Sequence, residues 1–170
     1  MKKINFILLL VLGFGLLTGC AEKASINNKE EEKKYNKLLE KLDTNNIKMK
    51  DNTVHYNNGD ITIEYYISDE NEEYLHFSQN ISDYLLAYNI TKKSMISFNT
   101  ETEEYCILEN NENSNIEQIV CDNKNESEIL TRNQTESSYA LYVFKEFLKE
   151  NQTTKKDIIK AFKFYYTKNK

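Results

Sequence analysis

Five side chains in this chain carry sulfur or imidazole, the ligands of zinc and the softer nucleophiles: Cys20, Cys106, Cys121, His55 and His76. Zinc sites are built around close pairs, C-x-x-C or H-x-x-x-H, because neighbouring ligands must reach one ion at about 2 Å. No such pair occurs. A site from Cys106, Cys121, His55 and His76 would have to be assembled entirely by the fold, and each histidine stands alone in a strand-like pattern as an ordinary sheet residue. The acidic runs Asp69-Glu70-Asn71-Glu72-Glu73 and Glu101 to Glu104 lack the glycine-turned, alternating ligand order of a calcium loop and read as solvated turns. There is no G-x-S-x-G, no H-E-x-x-H and no phosphate-binding glycine loop. The chain therefore implies no catalytic residues, no metal and no cofactor. A pair of carboxylates for glycoside chemistry would leave no linear trace, since such pairs meet only in three dimensions.

The remaining cysteine lies in a different context. Met1-Lys2-Lys3 supplies positive charge, and Ile4 to Leu17 is apolar except for Asn5, Gly13 and Gly15. That run is shorter than the ~20 residues that span a bilayer and suits a signal h-region. It closes on Leu17-Thr18-Gly19-Cys20. Here the sequence resembles the bacterial lipoprotein family, whose lipobox is an aliphatic residue, two small residues and a cysteine. The resemblance covers about twenty residues. It implies that residues 1–19 are a signal peptide cut between Gly19 and Cys20. The Cys20 thiol would carry a diacylglyceryl group, and the chain would be lipid-anchored on the outer side of the cell membrane. Two acyl chains hold a protein stably where one does not, at ~0.8 kcal/mol per buried methylene. An uncut apolar anchor, with Cys20 incidental, is the alternative. Residues 20–28 are small or polar and read as a tether, which when extended lifts the folded part roughly 35 Å off the surface.

With Cys20 assigned to lipid, Cys106 and Cys121 remain as an even pair in an export-compatible setting. A hairpin centred between Asn113 and Ser114 sets Cys106 opposite Cys121 and Leu108 opposite Ile119 on one face, with Ile107 and Val120 on the other. Register and pattern agree with a cross-strand disulfide. Two buried free thiols are the alternative.

The elements that must position these groups follow from periodicity. Lys29 to Leu42 is an amphipathic helix with Tyr35, Leu38, Leu39 and Leu42 on one face. Short alternating segments come next, around Val54 and Tyr56, Ile61 to Ile67, Leu75 to Ile81, Tyr84 to Ile90, Ser94 to Phe98, Glu104 to Glu109 and Ile116 to Cys121. Asn58-Gly59 carries the signal of a type I′ hairpin turn. Helical spacing returns with Ala140, Val143, Phe144, Phe147 and Leu148. After a break, Thr154-Lys155-Lys156-Asp157 resembles a capping box before Ile158, Phe162 and Tyr165. The expected fold is α+β in a single domain over residues 29–170. It has an N-terminal helix, an antiparallel meander sheet of about six or seven strands and a C-terminal helical hairpin packed on the sheet. A half-open barrel around an apolar ligand is the architectural alternative.

Formal charge is −5, and becomes −7 once Lys2 and Lys3 are removed. That balance, without a basic patch interleaved with aromatics, argues against nucleic acid as a partner. Charge is uneven, −14 over residues 51–128 and +5 over residues 129–170. The basic segment either complements the acidic sheet or faces anionic lipid headgroups or wall polymers. The first functional expectation is a non-enzymatic binding or accessory lipoprotein of the cell envelope, with the membrane as one partner and an envelope protein or wall polymer as another. An immunity or phage-exclusion lipoprotein and an envelope hydrolase using paired carboxylates are the alternatives.

Overall fold

A computed structural model describes residues 29–110, 117–121 and 127–170. The expected signal peptide (1–19), Cys20, the tether (20–28) and the turn between Asn113 and Ser114 lie outside the described residues. Two compact units divide the chain, Met1–Lys37 and Leu38–Lys170. The described part of the first is helical. That helix, α1, runs over 29–41 and so ends within the second unit. Tyr35, Leu39 and Leu42 are buried, in keeping with the apolar spacing. Asp43 stops the helix by taking a left-handed conformation (φ 63°) while its carboxylate accepts from the Asn45 N–H.

Eight strands then run as one antiparallel meander paired in sequence order. They are β1 (Ile47–Lys50), β2 (Thr53–Asn57), β3 (Ile61–Ile67), β4 (Glu73–Gln79), β5 (Tyr84–Asn89), β6 (Ser94–Asn99), β7 (Tyr105–Asn110) and β8 (Glu117–Cys121). The α+β expectation holds, with eight strands in place of six or seven. The additional strand is β1, whose Ile-Lys-Met-Lys alternation is only four residues long, too short to stand out as a period.

Turn chemistry also differs from expectation. The residues that both adopt positive φ, as a type I′ turn requires, are Asp51 (47°) and Asn52 (58°), which join the paired residues Lys50 and Thr53. At Asn58-Gly59 only the glycine is left-handed (φ 98°). There Asn58 Oδ1 accepts from the N–H groups of Asp60 and Ile61, so an Asx-type loop replaces the expected two-residue turn. Ile81, expected to continue the strand that holds Leu75 and Phe77, lies beyond the end of β4 and is 92% exposed, because the chain has already turned at Asn80.

Alternation along each strand sends one set of side chains toward the helices. Val54, Ile63 and Tyr65 are fully buried there, with Leu75, Phe77 and Leu86 nearly so. Helix α2 (Ser127–Glu150) covers β4 to β8, and α3 (Lys155–Asn169) covers β2 and β3. Phe77 meets Phe144 at 4.8 Å between ring centroids, Tyr56 meets Phe147 at 6.0 Å, and Tyr65 meets Tyr166 edge-on at 5.8 Å. This face is a filled core, which removes the half-open barrel. Edge-to-face and tilted aromatic pairs supply the volume that a chain without tryptophan needs.

The helices start where their residues dictate. Thr154 caps α3, its Oγ1 accepting from the Asp157 N–H at 3.1 Å, as the sequence pattern expects. Helix α2 begins well before its apolar stripe. The two inward positions preceding Ala140 are Asn133 and Ser137, both buried, so the stripe continues in polar residues.

Candidate functional site

Strand alternation separates the four residues weighed as a zinc site. Cys106 and Cys121 point to the helix-covered face, whereas His55 and His76 point to the opposite one. The described residues contain no cluster of three His, Cys, Asp or Glu side chains able to hold a metal ion. The cysteines pair in register across β7 and β8, Cα atoms 3.9 Å apart and sulfurs at disulfide distance. Leu108 lies opposite Ile119, and Ile107 opposite Val120. Cys106, Cys121 and Leu108 are buried, while Ile107 and Val120 are 41% and 42% exposed. Gly19 and Cys20 lie outside the described residues.

The acidic turns are more than solvated loops. Glu72 Oε2 accepts from the Tyr74 hydroxyl at 2.7 Å and from Asn89 Nδ2 at 2.8 Å, and Oε1 accepts from Lys92 at 2.6 Å. Those three donors, the lysine foremost, hold its pKa at about 2. Glu73 accepts from Lys163 of α3 at 2.6 Å and from the Tyr65 hydroxyl at 3.2 Å. Burial, reinforced by that carboxylate, pushes the Tyr65 phenol well up. Glu104 accepts from Asn133 Nδ2 at 2.9 Å, and Asn133 Oδ1 accepts from the buried Tyr84 hydroxyl at 2.7 Å. These carboxylates tie turns to strands and strands to helices. A weak calcium role would have to displace those donors.

On the face away from the helices the cross-strand register builds continuous rows. One runs His55, Glu64, His76 across β2 to β4 and continues Ala87, Ile96, Ile107, Val120 across β5 to β8. Its first part is polar. His55 Nδ1 lies 2.9 Å from Glu64 Oε1, and His76 Nδ1 lies 3.9 Å from Oε2. The Tyr66 hydroxyl shares a hydrogen bond with His76 Nε2 at 3.2 Å, and the Tyr66 and Tyr74 rings stack at 5.2 Å. Burial lowers the His76 pKa, with Glu64 opposing. The second part is apolar, flanked by Leu85, Phe98 and Tyr105 in the adjacent row. Tyr105 is 41% exposed. The polar and apolar halves are each legible as alternating residues in sequence; their alignment into one surface depends on successive strand registers.

A concavity of about 320 Å³ opens where the β4–β5 and β6–β7 turns meet α2. Asp83, Glu101, Glu136 and Arg132 line it together with Tyr139 and the exposed Ile81. It combines charges of both signs. No protein-family model, curated protein or solved structure matches this chain.

Proposed function

We propose that this protein is a membrane-anchored lipoprotein that binds another protein of the cell envelope without performing chemistry of its own. The observation that carries the binding half is the sheet face free of α2 and α3. There Ile96, Ile107 and Val120 align with Phe98 and Tyr105 beside a polar aromatic border. Protein interfaces combine an apolar, aromatic centre with a polar rim in this way. An open sheet face suits a protein partner better than a small ligand, which is bound in a deep pocket. The anchoring half is supported by Leu17-Thr18-Gly19-Cys20 behind its charged and apolar zones. A cross-strand cysteine pair beneath the apolar patch accords with an exported chain and would brace the strands that display it.

Two measurements test the two halves separately. Metabolic labelling with palmitate should mark the wild-type chain and miss Cys20→Ala; equal labelling would remove the lipid anchor. A photoreactive residue placed at position 107 should crosslink in cells to a discrete envelope protein, and Val120→Asp in the same chain should abolish that product. If position 107 crosslinks no more specifically than position 93 in the β5–β6 turn, the sheet face is not the binding surface.

A further inference from the structure

The concavity beside α2 is built by two turns and one helix face. The Thr100 N–H and hydroxyl both donate to the Asp83 carbonyl, at 2.8 and 3.0 Å, and so fasten the β6–β7 turn to the β4–β5 turn. Arg132, Glu136 and Tyr139 stand at i, i+4 and i+7 on α2 and close the third side. The volume of about 320 Å³ lies at the small end of ligand pockets, which run from about 300 to 1,000 Å³. It admits a molecule of amino-acid size.

The polar groups of its wall are left open. The carboxylates of Asp83, Glu101 and Glu136 make no ion pair and accept no hydrogen bond among the described residues. The Arg132 guanidinium is 55% exposed and has one carboxylate near it, Glu104 at 3.8 Å, beyond hydrogen-bond length, so its donors are free for a ligand. Asn99 is only 5% exposed. Its Oδ1 accepts from the Glu101 and Thr102 N–H groups at 2.9 and 3.0 Å, which fixes the orientation of the amide. Its Nδ2 then has no acceptor among the described residues, yet is not sealed from solvent, and so opens on the cavity that Asn99 lines. A buried amide donor left in this way calls for an acceptor from outside. Arg132 and Asn99 Nδ2 together suit a carboxylate, and the three acidic side chains suit positive charge. Three acids against one base make the preferred ligand cationic overall. Among the described residues no three such side chains are placed to share a metal ion, so the positive charge must sit on an organic molecule. Ile81 and Tyr139, 92% and 51% exposed, offer its aliphatic stem an apolar rim. We propose that this concavity binds a basic amino acid, free or at the carboxyl end of a peptide. Its carboxylate lies on Arg132 and Asn99, and its ammonium charge faces Asp83, Glu101 and Glu136. The site uses neither the open sheet face nor the lipid anchor and stands apart from both.

Magnetic resonance of the full chain in detergent micelles, with isoleucine methyl groups labelled, tests this by titration with L-lysine, the tripeptide Ala-Ala-Lys, cadaverine and L-glutamate. The Ile81 methyl at the rim should shift saturably with lysine or the tripeptide, half-saturating below about 1 mM, while Ile107 on the sheet face stays in place. Glutamate should move neither signal. Arg132→Ala should weaken lysine by at least about tenfold and leave cadaverine, which has no carboxylate, within about twofold; Glu136→Gln should weaken both. Asn99→Asp keeps the acceptor that the turn needs and removes the donor, so it too should weaken lysine more than cadaverine. A response to lysine alone supports a free amino acid as ligand, and a tripeptide that binds as tightly as lysine or tighter supports a peptide end. Absence of a saturable Ile81 shift with either one overturns the proposal. So does an equal response to glutamate, or cadaverine binding as tightly as lysine, because Arg132 and Asn99 would then contribute nothing.

Discussion

Breaking the Cys106–Cys121 link should cost this domain a large share of its stability. The two residues are 15 apart in sequence and already opposite in register, so the bond closes a short loop without demanding a change of pairing. Restricting a loop of that length in the unfolded chain contributes about 3 kcal/mol. Single domains hold only about 5–15 kcal/mol in total, so the loss is substantial. With a urea dependence of about 2 kcal/mol per molar, the unfolding midpoint should fall by about 1.5 M when the bond is reduced or when both residues become alanine. The comparison is best made in a Cys20→Ala background, which removes the third thiol. Circular dichroism would follow unfolding, and hydrogen exchange would locate the loss. Because β8 is an edge strand held on one side by β7 and covered by α2, its amides should lose protection first. A midpoint that moves by less than about 0.3 M would refute the loop-closure reasoning. Two reactive thiols in the unreduced Cys20→Ala protein would refute the bond itself.

Two further outcomes arise from the polar groups. Asn133→Ala leaves the buried Tyr84 hydroxyl without its acceptor and removes a donor from Glu104, and should cost about 1–3 kcal/mol in urea unfolding; Tyr84→Phe added to it should recover part of that loss, and no recovery would separate the two groups. Glu72 has a folded pKa near 2 against an ordinary 4.5, so its stabilisation is present above pH 4.5 and is lost as pH falls toward 2. Unfolding midpoints measured across that window should drop less in Glu72→Gln than in wild type, and parallel curves would show that Lys92, Tyr74 and Asn89 do not act through this carboxylate.

Backbone periodicity alone determined much of what this protein is. Side chains two apart in a strand share a face, which was enough to put Val54 with Tyr56, Ile63 with Tyr65 and Leu75 with Phe77 on common faces and to set Cys106 against Cys121 by counting outward from a hairpin centre. Side chains three and four apart share a helix face, which marked Phe144, Phe147, Ile158 and Phe162 as inward. Local capping chemistry identified the start of α3 at Thr154. What tertiary structure decided depends on groups distant in sequence. Asn133 reads as a surface helix residue until Tyr84, 49 positions away, and Glu104, 29 positions away, are brought to its amide. Glu73 and Lys163 meet across 90 residues. The four-residue β1 carried too little pattern to be seen alone and is recognised by its pairing with β2. The apolar row on the face free of α2 and α3 exists only because every strand register, from β5 to β8, aligns the same side of the pleat. A local pattern assigns each residue a side; it takes the assembled sheet to decide which sides become one surface.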